Sequence, residues 1–250
     1  MGRVTFSQAG SQAGRRADPR ALAFAAVMLD SLGLSGPGGW LWQRARAAVS
    51  SPRQGAFVAG HEAMLAAARA DLPRLEAAIA RARASLGSDP DRLASGFLDA
   101  VEGLGLAFHG RSEAAIERFL CLRAVAREVD NPRFALWASY GLAQAEAAAG
   151  RIPAALIRIR TASSWQPACD DYQLLGAMAG LEARLLWQTG ARDEAVGRAA
   201  ALVRGSQRHA TSPVGLEVFG GPALVLAASV AGRAAASGRP GGTADRTRDL

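Results

Sequence analysis

Few residues in this 250-residue chain are placed to do chemistry, and their types exclude more than they suggest. All 29 basic residues are arginine. Without lysine there is no phosphate-loop lysine, no Schiff-base lysine and no kinase strand lysine. His61, His109 and His209 stand far apart and outside any HExxH pair, so each reads as a packed or exposed side chain. Cys121 falls in a helix-like run and Cys169 in a loop, with no CxxC spacing to bind zinc or form a thiol pair. The glycines at 36 to 39 and at 220 and 221 do not form GxGxxG, and no GxSxG occurs. No catalytic residue, cofactor-binding residue or metal ligand is assigned, and an enzyme is not expected.

One carboxylate series has a register. Glu62, Glu102 and Glu182 are separated by multiples of forty residues, with Leu142 at the remaining position. If the chain repeats with that period, the three face one way. They then form an acidic strip or pair with arginines of neighbouring helices, among them Arg69, Arg81, Arg123 and Arg184. Pairing is the preferred reading, because a strip of like charges repels itself. Phe57, Phe97 and Trp137 share a second column, for which burial between neighbours is preferred to exposure.

The elements that position these columns are helices. From Asn131 to Trp165, helix-prone residues flank Gly150, with Leu136, Trp137, Tyr140 and Leu142 on one side and Ala155, Leu156 and Ile159 on the other recurring at helical spacing. Gly110 and Gly190 stand forty residues to either side of Gly150 and separate similar runs, and Ala70 takes the place one step earlier. A small residue precedes each turn by seven positions (Ala63, Gly103, Ala143, Ala183), and an alanine follows three of them by five (Ala115, Ala155, Ala195). Glycine ends a helix in a left-handed cap without steric penalty, and small facing residues let paired helices approach closely. The expected fold is all-α, a solenoid of about five antiparallel hairpins with a period near forty residues.

The small residue, the helix-ending glycine and the following alanine resemble the tetratricopeptide repeat (TPR) at three signature positions, over roughly residues 54 to 206. The spacing exceeds the tetratricopeptide period of about 34 and approaches the armadillo-like range of about 40 to 47. Loops at Ser88 to Asp91 and Gln166 to Asp171 absorb the difference. Stretched repeats of this kind resemble the sensor arms of large bacterial ATP-binding signal-transduction regulators. The resemblance implies a protein-protein interaction scaffold or a ligand-sensing arm. An alternative is the repeat portion of a larger ATP-binding or transcriptional regulator whose effector domain lies outside this chain. By analogy with tetratricopeptide repeats, Tyr140, Gln144, Arg184 and Gln188 are the outward, partner-binding positions, and a protein or peptide in a concave groove is the expected guest.

Around this repeat domain, placed at residues 18 to 237, residues 1 to 17 read as a disordered leader and 238 to 250 as a disordered tail. The net charge is +7, of which residues 1 to 20 carry +3 and residues 233 to 250 carry +2. Only +2 is left between them, too little for a phosphate-gripping face, so no specific nucleic-acid partner is expected. The uncharged run from Val218 to Gly232 is shorter than the roughly 20 residues of a membrane span. Asp18, Pro19 and Arg20 interrupt any twin-arginine export pattern after Arg15 and Arg16, and a cytoplasmic location is expected.

Overall fold

The computed structural model describes residues 17–31, 33–87, 91–164 and 172–209. Their regular secondary structure is entirely α-helical. The described residues form ten helices: α1 (Pro19–Ser31), α2 (Ser35–Ala48), α3 (Pro52–Ala68), α4 (Leu72–Leu86), α5 (Arg92–Phe108), α6 (Ser112–Glu128), α7 (Pro132–Ala148), α8 (Ile152–Ser163), α9 (Tyr172–Gln188) and α10 (Arg192–His209). The leader up to residue 16, the tail from 238, the run from Val214 to Ala236, Cys169 and most of the two long loops lie outside the described residues.

Local signals start and stop these helices. Ser51, Asp71, Asp91 and Asn131 are N-caps whose side chains accept from the backbone N–H three residues on, and a proline is the first or second residue of α3, α4 and α7. Each such cap is worth about 1 kcal/mol. At the other end, a residue between consecutive helices is left-handed: φ is 53° at Ala70, 72° at Gly110, 76° at Gly150 and 84° at Gly190. Asp71 N–H donates to Ala66 O, Arg151 N–H to Glu146 O and Ala191 N–H to Leu186 O, the long backbone bond that closes such a cap.

The chain divides into two compact units, Met1–His109 and Gly110–Leu250. In the first, α1 packs on α2 and α3, while α3 packs on α4 and α5. Its core is rich in alanine: Ala63, Ala66, Ala78 and Ala82 are fully buried beside Leu75 and Leu98. Close approach is enforced at Gly105, where a Cβ would lie 2.0 Å from Leu75 Cδ2. In the second unit α7 contacts α6, α8 and α9, and α9 contacts α8 and α10. Phe119, Leu122, Leu136, Ile159 and Leu185 fill its interior, together with the turn-flanking Ala115, Ala143, Ala155, Ala183 and Ala195. Burying one large apolar side chain contributes about 1.5 to 3 kcal/mol.

One boundary differs from the sequence expectation. By composition Leu34-Ser-Gly-Pro-Gly-Gly39 reads as a break before a helix that opens at Trp40, yet α2 starts at Ser35. Pro37 sits in the first turn, where its missing N–H has no intrahelical partner to lose. Gly38 packs so tightly on α1 that a Cβ there would lie 2.7 Å from Asp30 Oδ1. Gly38 thus serves close packing at a helix start, whereas a Cβ at Gly36 or Gly39 would meet nothing within 4 Å.

Candidate partner-binding face

The carboxylate column is committed to ion pairs. Glu62 on α3 accepts from Arg46 on α2 at 2.7 Å and from Arg81 on α4 at 2.8 Å, with Arg74 of α4 at 3.5 Å. Burial would raise the Glu62 carboxyl, and Arg46 and Arg81 more than reverse this, holding it below the usual range. In the second unit, Glu182 of α9 meets Arg160 of α8 at 3.2 Å and Arg198 of α10 at 2.7 Å. Arg160 also bonds Glu194. Each of these two glutamates thus ties together two helices that flank its own. Glu102 shares Arg83 of α4 with Asp99, at 2.7 and 2.8 Å.

Where Leu142 replaces the glutamate, Glu146 one turn later binds Arg158 of α8 through two nitrogens, at 2.6 and 2.9 Å. Glu146 was missed in the sequence. Its signal was its position four residues after Leu142, on the same helix face. Of the arginines expected to serve the column, Arg81 does so, Arg69 turns to Asp30, and Arg184 meets Gln144 instead.

The four residues assigned to partner binding lie on α7 and α9 of the second unit, and three of them form one hydrogen-bonded chain. Arg184 Nη2 donates to Gln144 Oε1 at 2.6 Å, and Gln144 Nε2 donates to Tyr140 Oη at 2.8 Å. The outward placement expected for all four is not what the structure gives. Tyr140 is 1% exposed and Gln144 is buried, Arg184 is half-buried, and Gln188 alone is exposed. Tyr140 and Leu136 occupy one face four residues apart, and the Tyr140 ring meets Trp137 edge-on at 5.9 Å between centroids. Burial pushes the Tyr140 hydroxyl above its ordinary value and the Arg184 guanidinium below its own.

The aromatic column is half-buried and takes His61 with it in the first unit. The His61 ring lies 4.0 Å from the Phe57 ring and 5.2 Å from the Phe97 ring, and its Nδ1 donates to Phe57 O at 2.9 Å. His109 joins the end of α5 to the turn after α3, with Nε2 2.9 Å from Ala70 O. The His209 side chain and Cys169 are outside the described residues. Among the described residues no group of His, Cys, Asp and Glu is placed to hold a metal ion, and no helix is long and apolar enough to cross a membrane. No protein-family model matches the chain, and none of the curated proteins matches it in sequence.

Proposed function

We propose that this chain is a non-catalytic helical-repeat protein, a TPR-like solenoid of about five hairpins with a period near forty residues, that binds a protein or peptide along the first helices of its hairpins. The left-handed turn residues at 70, 110, 150 and 190 and the buried small residues at 63, 143 and 183 support the repeat. Stacked hairpins present one extended face on which a partner can lie. The observation that carries the binding assignment is the line from Tyr140 through Gln144 to Arg184, which joins two such first helices and ends beside the exposed Gln188. Most other polar contacts described above are internal ion pairs or helix caps.

The test is comparative capture from native extract, using the wild type and the double variant Arg184→Gln, Gln188→Arg. A partner held stoichiometrically by the wild type and lost from the variant supports the reading. Identical sets of retained proteins for the two would overturn it.

A further inference from the structure

Arg184 and Arg123 are half-buried arginines that face no carboxylate among the described residues, and of the two Arg184 alone has a buried nitrogen without a hydrogen-bond partner. Arg74, Arg83, Arg158 and Arg198 are comparably half-buried, and each has a carboxylate oxygen within 3.5 Å. Arg184 has none among the described residues. Its Nη2 bonds a neutral amide, and its Nε is buried with no hydrogen-bond partner. A desolvated charge without a counter-charge is costly, as is a buried donor without an acceptor. The repeat itself does not require this charge, since Leu104 and Met64 occupy the same register two and three periods earlier.

The polarity of the chain adds to the imbalance. A guanidinium only donates, so the oxygen of the Gln144 amide must face Arg184 and its nitrogen must face Tyr140. The phenolic oxygen is then an acceptor, and its own hydrogen meets no acceptor among the described residues. Three side chains therefore present an excess of donors and one uncompensated positive charge. We infer that Arg184, held in place by Gln144 and Tyr140, is a recognition site for a single carboxylate. A carboxylate supplies one negative charge and two acceptor oxygens to a guanidinium edge. With one cation and two neutral neighbours, the site matches a monoanion better than a phosphate dianion. This rests on reading α7 and α9 as the binding face, and it names the chemistry of the guest, carried either by a small acid or by an acidic peptide.

The experiment follows the arginine side-chain Nε–H resonances of the full chain labelled with 15N-arginine, the Arg184 signal being assigned by its loss in Arg184→Lys. Acetate, a tetraglutamate peptide, inorganic phosphate and chloride are titrated at constant ionic strength. The expected result is a saturable shift of the Arg184 signal with acetate and not with chloride. Binding should weaken at least about tenfold in Gln144→Leu, because the guanidinium is no longer held in its receiving geometry. Tyr140→Phe keeps the ring, removes the acceptor for Gln144 and should weaken acetate binding as well, which preserves the test if Gln144→Leu fails to fold. Tighter binding of tetraglutamate than of acetate per carboxylate identifies a peptide as the source, and equal binding identifies a small acid. An Arg184 signal that does not move, that moves equally with chloride, or that responds more tightly to phosphate overturns the assignment. The two readings fail separately. A silent Arg184 with partner capture still lost in the single variant Gln188→Arg sinks only the carboxylate site, whereas a responsive Arg184 with no partner lost from the double variant sinks only the scaffold.

Discussion

Gly141 of α7 lies so close to the Phe119 ring of α6 that a Cβ on residue 141 would fall 2.0 Å from Phe119 Cε1. Phe119 is fully buried, so its ring has no solvent to move into. Helix propensity alone favours Gly141→Ala by about 1 kcal/mol. Overpacking a filled interior costs about 1 to 3 kcal/mol, and a contact this short belongs at the upper end. Gly141→Ala is therefore expected to lower the urea unfolding midpoint, and adding Phe119→Leu should recover part of the loss. A raised midpoint for the single variant would show that α6 and α7 are not packed in this way.

The turn between α3 and α4 uses Ala70 at φ 53° where its counterparts use glycine. Left-handed backbone costs a non-glycine residue roughly 1 to 2 kcal/mol, and glycine returns about 0.4 to 1 kcal/mol through its freer unfolded state. Ala70→Gly should be stabilising by about 0.5 kcal/mol on that balance. Gly150→Ala should destabilise by a similar amount, purely through the backbone, since nothing lies within 4 Å of the added Cβ. Opposite signs in thermal unfolding are the expected pattern, and equal signs would contradict it.

These turns could be read from the sequence because their requirement is local: one residue must be left-handed, and glycine supplies it. The ion pairs could not be read in the same way. Arginine side chains reach across helices, so the register of Glu62 and Glu182 identified the acceptors while leaving Arg46, Arg160 and Arg198 undetermined. Tyr140 was placed both in an apolar stripe with Leu136 and among the outward positions, and a helix can satisfy only one of these. The rotation of α7 against its neighbours decides it, and that is a property of packing. The start of α2 went unread for a related reason, because Gly38 answers to Asp30 and not to its own neighbours in sequence.

Acid should weaken the first unit in two steps. Burial between Phe57 and Phe97 holds the His61 pKa below its ordinary value. Below about pH 6.5 the unfolded chain therefore binds more protons than the folded one, so this contribution is complete above that pH and is lost as pH falls toward the lowered folded value. Glu62, held low by Arg46 and Arg81, stabilises above the ordinary carboxylate range and loses its contribution only as pH falls further. Urea stability compared at about pH 7.5 and 5.5 should fall less in His61→Phe than in the wild type, since these values bracket the histidine. Glu62→Gln should leave the size of that first step unchanged. An unaltered step in His61→Phe would mean that another group controls it.

The charge distribution separates a partner-binding scaffold from a nucleic-acid binder. Residues 18 to 237 carry +3 of the total +7. Within them Arg46, Arg81, Arg83, Arg158, Arg160 and Arg198 already face carboxylates at 3.2 Å or less. Affinity for DNA or RNA grows with the number of phosphates neutralised, because each releases counterions, and it falls steeply with added salt. Binding by the full chain should accordingly be weak at physiological salt, and most of it should disappear when residues 1 to 17 and 238 to 250 are removed. Fluorescence anisotropy with a labelled DNA duplex and a single-stranded RNA, each over a salt series, measures both effects. Tight binding by residues 18 to 237 alone at physiological salt would require arginines released from their carboxylates, and it would replace the scaffold with a nucleic-acid interface.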